Sequence, residues 1–127
     1  MKIKTLQSLL VLALIIGLHS CSGSDTYRGK WNATDIDGNK SELIFSENTF
    51  LVYQDGDTTT FEYTQHSVNI ENSVKKYGVQ LSDGKKFSIF FPIGNDESKG
   101  SILDVNEEVV YIISRNDFLE YNDIYGL

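Results

Sequence analysis

Side chains with the chemistry for catalysis are few in this chain. Acid–base and nucleophilic catalysis usually need a histidine, an activated cysteine or a pair of carboxylates in one pocket. After the first twenty residues there is one histidine, His66, and one cysteine, Cys21. His66 stands at a turn before a strand pattern, which favours a solvated side chain. Glu107 and Glu108 would point to opposite faces of a strand and could not share a proton. We therefore expect no enzymatic activity.

Two acidic clusters carry the oxygen ligands that calcium prefers. One comprises Asp35, Asp37, Asn39 and Glu42, and the other occupies residues 55–57. Neither has the spacing of a twelve-residue calcium loop with glycine at its sixth position. Both contain Asp-Gly pairs that are ordinary in hairpin turns, because glycine and asparagine adopt positive φ at little cost. The sequence predicts turns at both places, with no metal site and no cofactor.

Lysines and tyrosines are the remaining candidates for binding. Lys75, Lys76, Lys85 and Lys86 could gather on adjacent strands and meet an anionic ligand or lipid headgroup. Charges on strand exteriors and edges also prevent edge-to-edge aggregation, which is the interpretation we favour. Aromatic rings with a polar group suit pockets and interfaces. The residues to test for binding are Tyr63, Tyr77, Tyr111 and Phe61, together with Tyr53.

The N-terminus has the pattern of a secretion signal. Lys2 and Lys4 precede an unbroken apolar run over residues 9–18, which is the usual order of a basic region and a short apolar region. The run has about half of the ~20 residues that a membrane-spanning helix needs. The sequence therefore predicts a signal peptide over residues 1–20 and no membrane span.

The signal ends in Leu18, His19, Ser20 and Cys21. A small residue directly before a cysteine at this place resembles the lipobox of bacterial lipoproteins. The resemblance implies that Cys21 becomes the first residue and carries a diacylglycerol and a further acyl chain such as palmitate. Two or more chains, at ~0.8 kcal/mol per buried methylene, give stable attachment to a membrane. An ordinary cleaved signal with an unmodified Cys21 is the alternative.

The charge of the remaining chain limits its partners. All eighteen Asp and Glu follow Cys21 but only nine of the eleven Lys and Arg do, which gives a net charge of −9. Such a chain repels nucleic acid and anionic membrane surfaces, so the lipid on Cys21 would provide the attachment. Ser22 is not the aspartate that retains lipoproteins in the inner membrane, which by analogy favours the outer membrane. The sequence is consistent with attachment to either face of that membrane.

Period-two hydrophobicity, interrupted every eight to twelve residues by turn residues, is the dominant pattern and predicts an all-β sandwich or barrel. Residues 21–26 form a small polar tether with the composition of a flexible linker. Residues 27–127 form one domain without any disulfide, and residues 116–127 form a short tail that makes one helical turn capped by Asn116 or lies over the core. The pattern gives eight to nine strands, at residues 27–35, 41–46, 49–54, 58–64, 66–71, 74–81, 85–91, 102–105 and 108–115.

Four residues resemble a known family. Gly29, Lys30 and Trp31 in the first strand, with Arg115 closing the last, are similar to the Gly-x-Trp and terminal arginine of lipocalin and calycin barrels, and the chain looks most like short lipocalin-like lipoproteins of two-membraned bacteria. The resemblance implies a small antiparallel up-and-down barrel of about eight strands. It implies structural roles for Gly29, Trp31 and Arg115, with the arginine lying across the indole in a cation–π contact. The chain is much shorter than lipocalins, which argues against a spacious ligand cup.

The same alternation predicts what fills the barrel. An eight-stranded barrel is just wide enough to be filled by side chains or to hold one small ligand. One hypothesis is therefore a protein that binds a small hydrophobic or amphipathic molecule at the cell envelope. The other is a non-enzymatic interaction or structural module with a filled core, which contacts another envelope protein. If Trp31 points inward, so do Leu43, Phe45, Phe50, Val52, Phe61, Tyr63, Val68, Ile70, Tyr77, Val79, Phe87, Ile89, Phe91, Tyr111 and Ile113.

Overall fold

Eight antiparallel strands form a closed barrel in a computed structural model that describes residues 23–126. Each strand pairs with the next along the chain, and the last pairs with the first, which confirms the predicted all-β up-and-down barrel. The predicted signal peptide and Cys21 lie outside the described residues. The strands are β1 (Gly29–Asp35), β2 (Lys40–Phe45), β3 (Thr49–Gln54), β4 (Asp57–Glu71), β5 (Val74–Leu81), β6 (Lys86–Phe91), β7 (Lys99–Leu103) and β8 (Val109–Ser114).

The two ends of the barrel differ. Because the strands run up and down in chain order, alternate connections lie at opposite ends. The turns after β1, β3, β5 and β7 surround what we call the mouth. The connections after β2, β4 and β6, together with the chain that enters β1, form what we call the closed end.

The turns at the mouth are short and tightly bonded. In the turn after β1, Asp35 Oδ1 accepts the backbone N–H groups of Asp37 and Asn39, both at 2.9 Å. In the turn after β7, Asp104 Oδ1 accepts the N–H groups two and four residues ahead, at 2.8 and 3.0 Å. Glu107 lies within this turn at a φ of 62°, so the expectation that Glu107 and Glu108 point to opposite faces of a strand is wrong. The predicted turn at Asp35 is confirmed.

Strand β4 is the main departure from the predicted strands. The two strands expected at residues 58–64 and 66–71 are a single strand, which continues through His66 by means of a bulge between Gln65 and Ser67. His66 is exposed within this strand and does not lie at a turn. A bulge adds one residue without ending the pairing, so hydrophobic alternation alone predicts a break there.

The second half of β4 is not enclosed by the barrel. In the described part of the chain, residues 57–62 of β4 pair with β3 and residues 63–71 pair with β5, so no strand flanks residues 67–71 on the β3 side. Val68 is directly opposite Tyr77, so it shares the inner face of the sheet. It is nevertheless 49% exposed, and Ile70 is 56% exposed. The expectation that Val68 and Ile70 belong to the interior is wrong, because no strand closes over them.

The C-terminal tail lies along the outside of the barrel. It contains one helical turn, α1 (Tyr121–Tyr125), whose N-cap is Glu120 and not the predicted Asn116. The Tyr125 hydroxyl hydrogen-bonds that of Ser101 on β7 at 2.6 Å, and the Asn32 side chain donates to the Asn116 carbonyl. The tail therefore packs against the outer face of β1 and β7, and residues 120–122 lie beside the turn after β1.

Candidate functional site

The half of the barrel next to the closed end is filled by aromatic rings. Trp31 and Phe91 pack with ring centres 5.8 Å apart. Tyr27 makes edge contacts with Phe45 at 5.4 Å and with Tyr77 at 5.2 Å. Such edge-to-face pairs add roughly 0.5–1.5 kcal/mol each beyond the burial of their area. The buried rings are Tyr27, Trp31, Phe45, Tyr63, Tyr77 and Phe91.

Arg115 seals this filled half from outside. Its guanidinium carbon lies 3.7 Å from the centre of the Trp31 ring, the arrangement that the resemblance to lipocalins implies. Partial burial lowers the pKa of the Arg115 guanidinium. Gly29 lies beside it with a φ of 94°, and a side chain there would crowd the guanidinium. Gly29, Trp31 and Arg115 thus form one packed unit.

The chain that enters β1 is bound to the closed end, and we call residues 23–27 the N-terminal segment. Gly23 is buried and its N–H donates to the Glu47 carbonyl at 2.8 Å. Ser24 donates to Gln65 Oε1 through its N–H at 3.1 Å and its hydroxyl at 2.7 Å. The Tyr77 hydroxyl donates to Thr26 Oγ1 at 3.0 Å. The expectation of a flexible tether is therefore wrong for residues 23–26, because polar partners on the barrel hold them.

Two phenols at the closed end, Tyr27 of this segment and Tyr63 of β4, are kept neutral. The Tyr27 hydroxyl donates to Gln65 Oε1 at 2.7 Å, and the Tyr63 hydroxyl donates to the Ser46 carbonyl. Burial raises the pKa of Tyr27 far above its ordinary value and raises that of Tyr63 as well. Both residues act here as hydrogen-bond donors that close the end of the barrel.

A cavity of about 230 Å³ occupies the half of the barrel next to the mouth. Five of the side chains that face it are only partly buried, because they line an open cup: Phe50, Val52, Phe61, Phe87 and Tyr111. Twelve of its fourteen lining residues are apolar or aromatic, and the other two are Asp83 and Lys85. The lining comprises Leu43, Phe45, Phe50, Val52, Phe61, Val79, Leu81, Asp83, Lys85, Phe87, Ile89, Ile102, Val110 and Tyr111.

Polar groups at this cavity are confined to its mouth. Asp83 and Lys85 belong to the turn after β5, where the Lys85 N–H donates to Asp83 Oδ1 at 2.9 Å. Tyr111 lies opposite Asp35 in the pairing of β8 with β1. Burial, with the nearby Asp35 carboxylate, raises the pKa of Tyr111, so its hydroxyl stays protonated. The cavity therefore offers an apolar floor and a rim with charges of both signs.

The binding residues suggested by the sequence do not all lie together. Phe61 and Tyr111 line the cavity, whereas Tyr63 and Tyr77 belong to the filled half. Tyr53 is exposed on the outer face. Alternation shows which residues face inward, but it does not show whether they lie near the mouth or near the closed end. Proximity to the mouth turns would have favoured Val52 and Phe87, which line the cavity, whereas Phe50 lines it from deeper in the barrel.

The four lysines do not gather into an anion site. Lys75 pairs with Glu97 and Lys76 pairs with Glu107, while Lys85 lies at the mouth. Lys86 shares a surface depression with Lys76, but that depression also contains Asp104 and Glu107. Among residues 23–126, no three His, Cys, Asp or Glu side chains come together where they could hold a metal ion. None of the helices described there is long and apolar enough to span a bilayer. A larger depression of about 480 Å³ lies on the outer face beside Glu62, Gln80 and Ser82.

Comparison of the chain with protein-family models, with curated proteins and with solved structures finds no match.

Proposed function

We propose that this protein is a lipid-anchored lipoprotein of the cell envelope, with a calycin-type barrel that binds a small hydrophobic or amphipathic molecule without catalysis. The observation that carries the proposal is the apolar cavity at the mouth. Acylation of Cys21 would hold the protein at a membrane, with the outer membrane as the expected location. The lipobox-like end of the apolar run supports this part of the proposal.

The dimensions of the cavity define the ligand. The cavity has room for several groups of the size of a water molecule, and its volume is about 230 Å³. This is below the roughly 300–1,000 Å³ of sites that enclose drug-sized molecules. The cavity therefore fits a compact apolar molecule, or one end of a longer chain whose remainder leaves through the mouth. A polar head group would then lie beside Lys85, Asp83 and the Tyr111 hydroxyl.

The lining supports binding rather than chemistry. Its ionisable groups are Asp83, Lys85 and Tyr111, and all belong to the mouth. Deeper residues such as Phe50 and Ile89 offer neither a nucleophile nor a base. The calycin assignment is supported by the contact of Arg115 with Trp31 and by the closed eight-stranded topology.

Native mass spectrometry of the protein, purified in detergent from cell envelopes, tests both the lipid anchor and the bound ligand. We expect the mass of an acylated chain that begins at Cys21, and a small apolar molecule bound to part of the population. Titration with octanoate and with octanol then measures affinity. Trp31 lies outside the cavity lining, so a Phe87→Trp variant supplies the fluorescent reporter.

A matched pair of substitutions locates the site. Val52→Phe fills the cavity, whereas Val68→Phe makes the same change on exposed β4. We expect the first to weaken octanol binding at least tenfold, which is ~1.4 kcal/mol, and the second to leave it unchanged. If neither alcohol nor acid binds and no ligand copurifies, the ligand hypothesis fails. The alternative hypothesis, a non-enzymatic module that contacts another envelope protein, would then replace it.

A further inference from the structure

We infer that the closed end of the barrel rests on the membrane, with the exposed face of Val68 and Ile70 in the interface of the bilayer, so that the mouth opens away from it. The inference rests on the acylation of Cys21 proposed above. It adds an orientation and a second membrane contact to that anchor. Three independent features of the molecule support it.

The first feature is the attachment of the N-terminal segment. Gly23 is fixed to the closed end by its bond to Glu47, and the Arg28 side chain donates to the Gly23 carbonyl from Nε at 3.1 Å and Nη2 at 2.5 Å. Cys21 precedes Gly23 by two residues, and two residues span at most about 7 Å. An acyl group on Cys21 would therefore bring the bilayer to this end of the barrel. The mouth lies at the opposite end.

The second feature is the position of the exposed apolar side chains. Gln65, which holds Ser24, is three residues before Val68 on the same strand. Tyr77, which is opposite Val68, bonds Thr26 through its hydroxyl. The apolar face of β4 thus adjoins the N-terminal segment. Apolar side chains at a lipid-anchored surface lie favourably at the boundary of headgroups and acyl chains, roughly 5–10 Å deep.

The third feature is the distribution of charge between the two ends. The mouth carries eight acidic and three basic residues, within residues 35–40, 55–57, 82–86 and 104–108. The closed end carries five of each, within residues 25–30, 46–48, 71–75 and 92–99 and at Arg115. Anionic headgroups repel the mouth and leave the closed end without net repulsion. Of the two strongly exposed apolar residues of the mouth, Ile36 lies between Asp35 and Asp37, and Val105 lines a surface depression with charges of both signs.

Site-directed fluorescence tests the orientation on the full-length acylated protein. If Cys21 is acylated, a cysteine placed at 70 or 68 is the only free thiol and can carry an environment-sensitive nitrobenzoxadiazole dye. Matched controls place the dye at position 36 or 105, as Ile36→Cys and Val105→Cys. Each variant is reconstituted into vesicles of phosphatidylethanolamine and phosphatidylglycerol. Melting curves establish that each is folded.

We expect the dye at positions 70 and 68 to brighten and shift to the blue in vesicles, and its quenching by iodide to fall severalfold. The dye at positions 36 and 105 keeps the emission that it has in water. Unchanged emission at both 68 and 70, or brightening at 36 or 105, overturns the inference. Brightening that depends on protein concentration and not on lipid indicates contact between copies and also overturns it. An intact mass without acyl chains overturns the proposed anchor itself, which separates the two failures.

Discussion

The guanidinium of Arg115 lies over the indole of Trp31, with 3.7 Å between its central carbon and the ring centre. The same guanidinium donates to the Lys30 carbonyl at 3.0 Å and to the Thr26 carbonyl at 3.2 Å. Its backbone N–H donates to the Ser98 carbonyl at 2.8 Å. One residue therefore joins the last strand, the first strand, the N-terminal segment and the connection before β7.

Replacing this guanidinium should destabilise the fold. A cation–π contact contributes about 0.5–2 kcal/mol, and lysine cannot reproduce two directed hydrogen bonds together with ring stacking. We expect Arg115→Lys to lower the free energy of unfolding by about 1–3 kcal/mol, measured by urea denaturation, and to shift Trp31 emission to the red. Lys86→Ala, on an exposed position of β6, should change stability by less than ~0.5 kcal/mol. Equal stability of Arg115→Lys and the original protein would contradict this role.

Gln65 should contribute as much to the stability of the fold as any apolar residue of the closed end. Its Oε1 accepts hydrogen bonds from the Ser24 N–H, the Ser24 hydroxyl and the Tyr27 hydroxyl. Gln65→Met keeps the length of the side chain but leaves these donors without their acceptor. We expect a loss of about 2–4 kcal/mol in urea denaturation, since each orphaned donor costs about 1–3 kcal/mol unless water reaches it. Thr64→Val, on the exposed face of the same strand, is the control, and a similar loss there would refute the explanation.

Stability should decline in alkali because of the buried phenols. Burial raises the pKa values of Tyr27 and Tyr63 in the folded protein, whereas in the unfolded chain tyrosine ionises near pH 10. Their stabilising contribution is therefore complete below pH ~10, and it is lost as the pH rises from there toward the folded pKa values. We expect the melting temperature to be flat from pH ~8 to ~9.5 and to fall above it. In a variant with both Tyr27→Phe and Tyr63→Phe the fall should be shallower, whatever its stability at neutral pH. Identical slopes would exclude these phenols as the cause.

Gly100 should not tolerate a side chain. A Cβ at this position of β7 would collide with the Phe90 carbonyl oxygen and would also crowd the Phe91 ring. Because the oxygen belongs to the backbone of the neighbouring strand, relief requires strands to move apart. We expect Gly100→Ala to cost about 1–3 kcal/mol. Gly94→Ala meets only ordinary contacts, the nearest at 3.5 Å, and should lie within ~0.5 kcal/mol of the original protein. Thermal melts of the two alanine variants decide the matter.

Much of the architecture could be predicted because alternation and turn residues act locally. Each strand of the meander is bounded by turns whose aspartates and glycines are visible in the sequence, as at Asp35 and Gly84. Bulges are not visible in the same way, since His66 continues a strand without any breaker residue. The tail could not be placed because its partner, Ser101 on the outer face of β7, is distant in sequence.

The candidate site was less predictable than the fold. Alternation separates inner from outer residues, but the division of the interior into a filled half and a cavity depends on depth along the barrel axis. Tyr27 decides that division, since it lies in a 3₁₀ turn before β1 and its ring enters the closed end. A residue that reaches the core from outside the strands follows no period. If Tyr27 is not considered, the alternation pattern does not distinguish Tyr63 and Tyr77, which belong to the filled half, from Tyr111, which lines the cavity.

Closure of the ring determines when this molecule can finish folding. The contact of Arg115 with Thr26 joins residues that are 89 positions apart, and that of Asn32 with Asn116 joins residues 84 apart. Barrels dominated by such distant pairings fold in milliseconds to seconds, far more slowly than helical bundles. A chain that emerges with its N-terminus first leaves β1 without its second neighbour until β8 is available. The domain therefore cannot complete its barrel until β8 is available to pair with β1.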